Sequence, residues 1–195
     1  MTITIGINGF GRIGRCTLAH IAESGRNDVQ VVAMNATGPI ETNAHLLKYD
    51  SVHGRFPGTV KVEGNTLDLG RGPIRVMSTY NPEELDWDGV DVVLECTGKF
   101  LTPDTLQGHL DRGAKRVIVA APVKTGGVLN IVVGINEHLY DPAKDRIVTA
   151  ASCTTNCLAP VVKVVHEHIG IRHGQITTIH DPTNTNVVVD APHKD

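Results

Sequence analysis

Two cysteines stand four positions apart, among hydroxyl and amide side chains, in the stretch ASCTTNCLAP, residues 151–160. An apolar run precedes this stretch, and a helical pattern of apolar residues continues over residues 154–169. The chemistry open to such a group is a disulfide, a metal site, a buried structural cluster or a nucleophile.

A disulfide or a metal site is disfavoured. Four cysteines in 195 residues form no disulfide framework and indicate a reducing compartment. Zinc would need a second cluster of ligands, and the nearest candidates are His166 and His168. A helix rising ~1.5 Å per residue would place His166 about 20 Å from Cys153, so no metal is predicted.

Cys153 is predicted to lie at the N-terminus of the helix, where the helix dipole favours a thiolate nucleophile. Free backbone N–H groups at that end can hold an oxyanion. Ser152, Thr154 and Thr155 add hydroxyl groups beside the thiol. Cys157, one turn further, is expected to be a small buried hydrophobe.

A nucleophile of this kind needs a base, and the chain length selects one. The predicted helix covers about 24 Å. The stretch QITTI, residues 175–179, follows a turn and is predicted to be a strand of about 20 Å. If that strand runs back along the helix, it returns His180, one of ten histidines, to the level of Cys153.

The stretch INGFGRIGR places Gly9, Gly11 and Gly14 between a predicted strand, residues 2–7, and a predicted helix, residues 13–24. In that context the spacing predicts a dinucleotide site rather than a plain strand-to-helix turn. Glycines permit a tight turn and let the backbone approach a pyrophosphate at the positive end of the helix.

The ribose position departs from an ordinary NAD site. An acid usually follows the second strand, about 20 residues after the glycines. Here the predicted strand over residues 29–34 is followed by Asn35 and Ala36, and no acid occurs before Glu41. A 2′-phosphate would meet no repulsion, so we expect NADP as well as NAD, although no Arg or Lys stands beside these residues.

Strands and helices alternate along the rest of the chain, which predicts an α/β fold with a mostly parallel sheet. The remaining predicted elements are a helix at residues 43–49, an inserted hairpin with strands at 59–62 and 73–76, a strand at 91–95, a helix at 102–112, and strands at 116–121, 130–135 and 146–150.

The composition indicates a globular protein without a nucleic-acid or membrane partner. It is 41% hydrophobic and 20% charged with a net charge of −3, and no basic cluster stands out. No apolar stretch is long enough to span a membrane. The N-terminus lacks the basic and apolar regions of a secretory signal, so a cytoplasmic protein is expected.

Five stretches together carry a resemblance to a known family: INGFGRIGR, HLLKYDSVHGRF, ECTGKF, ASCTTNCLAP and TTIH. They resemble the phosphorylating glyceraldehyde-3-phosphate dehydrogenases over the whole chain. The resemblance implies a doubly wound, mostly parallel sheet of Rossmann type that binds NAD(P), residues 1–152. It also implies the truncated start of an α+β catalytic domain, residues 153–195.

The resemblance implies oxidation of glyceraldehyde 3-phosphate to 1,3-bisphosphoglycerate with inorganic phosphate, through a thioester on Cys153. His180 would activate the thiol and assist hydride transfer. Ser152, Thr154 and Thr183 would bind the substrate or the phosphate. The cofactor contacts would come from Asn8, Gly9, Gly11, Arg12, Ile13, Gly14, Asn35, Ala36, Thr97, Gly98 and Ala120.

The chain departs from the family's pattern in three places. The family commonly has an acid at Ala36, which strengthens the NADP expectation, and Ser or Thr at Ala120, so one cofactor contact is missing. The chain also ends soon after His180. It would therefore lack most of the catalytic sheet, the arginine that pairs with the substrate phosphate, and much of the interface of the homotetramer that the family forms.

Three alternatives stay open. APVKTGGVLN and the run after His180 resemble a subgroup found beside organoarsenical efflux genes, in which arsenate would replace phosphate. Erythrose-4-phosphate dehydrogenase shares the cysteine motif, although AAPVK at residues 120–124 and Thr183 favour the triose substrate. The chain could instead be an inactive dinucleotide-binding fragment.

Overall fold

A computed structural model describes residues 2–180 of the chain. The strands are β1 Ile3–Asn8, β2 Val29–Asn35, β3 Tyr49–Asp50, β4 Gly54–Arg55, β5 Lys61–Glu63, β6 Thr66–Asp68, β7 Pro73–Met77, β8 Val92–Glu95, β9 Arg116–Val119, β10 Leu129–Asn130 and β11 Ile147–Thr149. The helices are α1 Arg12–Glu23, α2 Ile40–Lys48, α3 Pro103–Asp111 and α4 Cys153–His168.

Nine strands form one sheet, in the order β10-β11-β9-β8-β1-β2-β7-β6-β5. β1 pairs in parallel with both β2 and β8. The strands that follow β1 in the chain are therefore added on both of its sides, and the strand order reverses at β1. Among the described residues of this sheet, β6 pairs antiparallel with both β5 and β7. The hairpin predicted from strands at residues 59–62 and 73–76 was therefore incomplete, because a third strand, β6, lies between them. The expected doubly wound, mostly parallel α/β sheet of Rossmann type is confirmed, and helix α4 follows it.

The first strand and helix pack closely because of glycine. Gly9 follows β1 with φ +94°, a left-handed conformation that favours glycine. A Cβ added at Gly14, in the first turn of α1, would lie 2.1 Å from the carbonyl oxygen of Gly9. The missing side chain lets α1 approach the end of β1, where Ile7 and Leu18 enter the core.

One predicted strand, at residues 130–135, is much shorter than expected. β10 ends at Asn130, because the side chain of Asn136 bends the next residues into a turn. Its Oδ1 accepts from the Val132 backbone at 2.8 Å, and its Nδ2 donates to the Asn130 carbonyl at 2.9 Å. Gly134 completes the turn with φ +85°.

The strand expected at residues 175–179 was wrong: this segment has no regular secondary structure. None of the described strands pairs with it, and an extended segment without a sheet partner keeps its backbone groups unpaired. The neighbouring helix α4 buries none of its residues, and Val161 and Val164 are 59% and 57% exposed.

Within residues 2–180, no helix is both long and apolar enough to cross a membrane. The division of the chain at residues 152 and 153 stays a prediction.

Gly14→Ala is expected to lower the free energy of unfolding by about 2 kcal/mol, because the new methyl group would collide with the backbone oxygen of Gly9. Gly108→Ala in α3 is the matched control, since a Cβ there meets nothing within 4 Å. The control should gain up to about 1 kcal/mol from helix propensity. Urea denaturation midpoints measure the stability of both variants. Midpoints that shift in the same direction in Gly14→Ala and Gly108→Ala would contradict the predicted collision.

Candidate active site and cofactor crevice

The candidate residues follow strands that end at one edge of the sheet. β1, β2, β8, β9 and β11 run parallel to one another, so their carboxyl ends share that edge. In open α/β sheets, ligands bind outside this edge at the strand where the order reverses, here β1. We call this region the carboxyl edge.

The glycine loop at the end of β1 fits a dinucleotide. Gly11 precedes α1 and offers no side-chain cap, so the backbone N–H groups of the first turn keep their hydrogen-bonding capacity. The first turn also contains no acidic residue. An uncapped helix N-terminus without a nearby acid suits a pyrophosphate. Ile13, in this turn, is 48% exposed.

The Arg12 side chain forms an ion pair with the Asp50 carboxylate. Burial alone would raise the pKa of Asp50, but hydrogen bonds from the His53 backbone, the Arg12 side chain and the Val52 backbone lower it to about 2. The Val52 and His53 N–H groups both donate to Oδ1 at 2.9 Å. Asp50 thus fixes the guanidinium beside the glycine loop, a contact that the sequence reasoning missed.

At the end of β2, the Asn35 side chain is used inside the protein. Its Nδ2 donates to Asn8 Oδ1 at 2.9 Å and to the Thr79 carbonyl at 3.1 Å. Its Oδ1 accepts from the Thr79 N–H at 3.1 Å. Ala36 is buried, and its N–H donates to the Met77 carbonyl. At position 36, where an NAD site commonly has an acid, the side chain is therefore the methyl group of alanine.

Glu95, the last residue of β8, is a buried carboxylate that the sequence reasoning did not assign. It is 1% exposed, and donors meet both of its oxygens. Asn8 Nδ2 donates to Oε2 at 2.6 Å, while the Thr97 N–H donates to Oε1 at 2.7 Å and the Thr97 hydroxyl donates to the same oxygen. An acid at the end of the apolar run VVLE was the available signal.

His109 in α3 supplies another donor to Glu95. The Trp87 indole, which can only donate, points its Nε1–H at His109 Nδ1, 3.0 Å away. Nδ1 must therefore accept, so the proton of the neutral ring sits on Nε2 and is donated to Glu95 Oε2 at 3.0 Å. Glu95 thereby ties the loop after β8 to the end of β1 and to α3.

Two further cofactor candidates lie at the same edge. Gly98 follows Thr97 in the loop after β8, is exposed and has φ +69°. Ala120 follows β9, is half-buried, and donates its N–H to the Glu95 carbonyl at 2.9 Å.

A sharp turn connects β11 to Cys153. Ala151 has φ +56°, which is uncommon for a residue with a side chain and suggests a constrained position. Asn156, in α4, stabilises this turn: its Nδ2 donates to the Ala150 carbonyl at 2.7 Å and to the Ser152 carbonyl at 2.9 Å. Asn156 belongs to the ASCTTNCLAP stretch, but the spacing of that stretch does not predict that its side chain stabilises the turn before Cys153.

Cys153 is the first residue of α4, as expected. Ser152 caps the helix, accepting from the Thr155 N–H at 3.0 Å. Cys153 Sγ lies 3.2 Å from His180 Nε2. This hydrogen bond lowers the pKa of the Cys153 thiol, assisted by the Thr154 N–H and hydroxyl and opposed by slight burial. The structure therefore brings together Cys153, His180, Ser152 and Thr154, while Thr183 lies outside the described residues.

The expectation for Cys157 was wrong, since its side chain is exposed. None of the residues of α4 is buried, so the position of Cys157 one turn after Cys153 does not place it in a core. Both cysteines are free thiols. Among residues 2–180, no group of three His, Cys, Asp or Glu side chains could hold a metal ion.

His180→Gln is expected to raise the pH at which Cys153 reacts with iodoacetamide, because the hydrogen bond from His180 lowers the thiol pKa. Alkylation of the Cys153 peptide, followed by mass spectrometry across a pH series, measures the midpoint. A Cys157→Ser background removes the neighbouring exposed thiol, and Cys153→Ser should abolish the signal. An unchanged midpoint in His180→Gln would contradict the pairing.

Glu95→Gln is expected to lower the free energy of unfolding by about 2 kcal/mol, because its amide group would face a buried donor. It should also weaken dinucleotide binding, since the single amide oxygen of glutamine cannot accept from both Asn8 and Thr97. Urea denaturation and calorimetric titration with NAD measure the two effects. The control is Glu63→Gln on the exposed hairpin, and equal behaviour of the two variants would refute the role of Glu95.

Comparison with known proteins finds two family matches. The family "Glyceraldehyde 3-phosphate dehydrogenase, NAD binding domain" matches residues 3–103, and "Glyceraldehyde 3-phosphate dehydrogenase, C-terminal domain" matches residues 152–195.

Relatives with the same name cover the whole chain. The glyceraldehyde-3-phosphate dehydrogenase of Cereibacter sphaeroides is 54% identical over 195 residues, and that of Xanthobacter flavus is 54% identical over 197. That of Geobacillus stearothermophilus is 47% identical over 197 residues. Each alignment covers 100% of this chain and 58% of the relative, so the chain spans little more than half their length. Because the NAD-binding description matches more than half of its residues, the chain belongs to the glyceraldehyde-3-phosphate dehydrogenase family.

Proposed function

We propose that this chain carries the cofactor site and the nucleophile of an NAD(P)-dependent, phosphorylating glyceraldehyde-3-phosphate dehydrogenase. Residues 1–152 would form the cofactor domain, and residues 153–195 would begin the catalytic domain. The observation that carries the proposal is the 3.2 Å contact between Cys153 Sγ and His180 Nε2 at the start of a 16-residue helix.

In this proposal Cys153 acts as the nucleophile. His180 Nε2 takes the thiol proton, the sulfur forms a bond to the aldehyde carbon, and the histidine passes the proton to the carbonyl oxygen, which gives a thiohemiacetal. The histidine then takes the hydroxyl proton as the hydride leaves, and a thioester on Cys153 remains. Phosphate attacks the thioester, the acyl phosphate departs, and the thiolate is restored.

The helix N-terminus stabilises the charges that develop during these steps. Cys153 is the first helical residue, so backbone N–H groups of the first turn are available to a developing oxyanion. The Thr154 N–H and hydroxyl already interact with the thiol. We propose that Thr154 and Ser152 bind substrate oxygens, and that Thr183 binds phosphate.

A bound nicotinamide cofactor would supply the acceptor for the hydride. The glycine loop would hold its pyrophosphate through Gly9, Gly11, Arg12, Ile13 and Gly14. The other contacts would come from residues at the carboxyl edge: Asn8, Asn35, Ala36, Thr97, Gly98 and Ala120. Since Ala36 brings a methyl group and no negative charge to the ribose position, we propose that NADP is accepted as well as NAD.

We also propose a cellular location, an oligomeric state and a phosphate acceptor for the reaction. A cytoplasmic location is supported by free thiols at Cys96, Cys153 and Cys157. A homotetramer is proposed for the longer protein. Inorganic phosphate is the proposed acceptor, with arsenate, as in the organoarsenical subgroup, as the alternative.

With glyceraldehyde 3-phosphate, phosphate and either NAD or NADP, the purified chain is expected to raise absorbance at 340 nm. Cys153→Ser should lose all of this activity, because the proposed thioester forms on the Cys153 sulfur. Separate reactions with arsenate and with erythrose 4-phosphate distinguish the acceptor and the substrate.

The control for this assay is cofactor binding by the Cys153→Ser variant, which should equal that of the parent chain. A chain that binds cofactor but reduces none would support the dinucleotide-binding fragment instead. Faster turnover of erythrose 4-phosphate would overturn the triose assignment, and activity retained in Cys153→Ser would overturn the mechanism.

A further inference from the structure

A lysine and an aromatic ring meet across the carboxyl edge. The Lys99 ammonium nitrogen lies 5.7 Å from the centroid of the Tyr80 ring, within the range of a cation–π contact. Lys99 follows β8 and Tyr80 follows β7, and β1 and β2 lie between those strands. The two loops therefore leave the sheet about 14 Å apart, at ~4.8 Å per strand, and approach each other over the crevice.

The Tyr80 side of this pair is fixed to the end of β2. The Asn35 side chain bonds both the N–H and the carbonyl of Thr79, each at 3.1 Å. The Ala36 N–H donates to the Met77 carbonyl at 2.9 Å. Tyr80 follows Thr79 directly and consequently lies beside the end of β2. In an NAD site, an acid at this strand end would meet the ribose 2′-hydroxyl. The Tyr80 side chain is 81% exposed and accessible to a ligand.

The charges at this position favour an anion. The Lys99 side chain is exposed, and within the part of the chain that the structure describes no carboxylate forms an ion pair with it. The turn after Tyr80 contains two acids, Glu83, which is exposed, and Glu84, whose oxygens accept from the Thr79 hydroxyl at 2.6 Å and Asn81 Nδ2 at 3.3 Å. These hydrogen bonds keep the Glu84 carboxylate against Thr79 and Asn81.

We propose that Lys99 binds the 2′-phosphate of NADP and determines the preference for a 2′-phosphorylated adenosine. Tyr80 would orient the ammonium group toward the ribose position at Ala36. An ammonium group donates charge-assisted hydrogen bonds to phosphate and gains little from a neutral 2′-hydroxyl. The proposal rests on the cofactor part of the proposed function and supplies the cation that the residues beside Ala36 lack.

The test measures binding rather than turnover. Calorimetric titrations with NADP, NAD, 2′,5′-ADP and 5′-AMP would compare the parent chain with Lys99→Gln and Lys99→Arg. Lys99→Gln should weaken NADP and 2′,5′-ADP about tenfold and leave NAD and 5′-AMP within twofold, while Lys99→Arg should retain most of the affinity. Lys48→Gln is the matched control, since its ammonium group also lies 5.7 Å from a ring, that of Tyr49.

Each outcome bears on a separate claim. Equal losses for NADP and NAD, or no loss for either, would overturn the role of Lys99. Binding of NAD without NADP by the folded parent chain would overturn both this role and the acceptance of NADP. Dehydrogenase activity enters none of these measurements, so a failure of the proposed chemistry leaves the assignment of Lys99 separately testable.

Discussion

The buried carboxylate of Glu95 is the interaction on which the arrangement of the carboxyl edge depends. A buried charge is stable only when donors surround it, and here the donors come from the end of β1, from the loop after β8 and from α3. The Asn8 side chain, held by Glu95, in turn accepts from Asn35 at the end of β2. Three strand ends and one helix are thereby fixed relative to one another, around the crevice where the glycine loop begins.

Features encoded in short stretches could be predicted from the sequence. The GxGxxG spacing and the apolar runs predicted the parallel sheet, because each depends on neighbouring residues. The position of Cys153 at a helix start was also local, since Ser152 and the polar residues after it provide the cap. His180 could be selected from the length of the helix and of the segment that follows it, although the strand predicted for that segment was wrong.

Features that depend on distant partners could not be predicted in this way. Glu95 meets Asn8 and His109 only after the sheet and α3 have assembled, and Lys99 reaches Tyr80 across two intervening strands. The errors have the same origin. The strand expected at residues 175–179 needed a sheet partner, and the burial expected for Cys157 needed an apolar layer over α4.

Two cysteines of this chain illustrate how environment, rather than residue type, decides thiol chemistry. Cys96 follows Glu95 directly and is buried, and desolvation together with the neighbouring carboxylate raises its thiol pKa to about 12. Cys153 is exposed at a helix start, and hydrogen bonds from His180 and Thr154 lower its thiol pKa. Burial, reinforced by the Glu95 carboxylate, therefore keeps Cys96 a neutral thiol, whereas the surroundings of Cys153 favour the charged form.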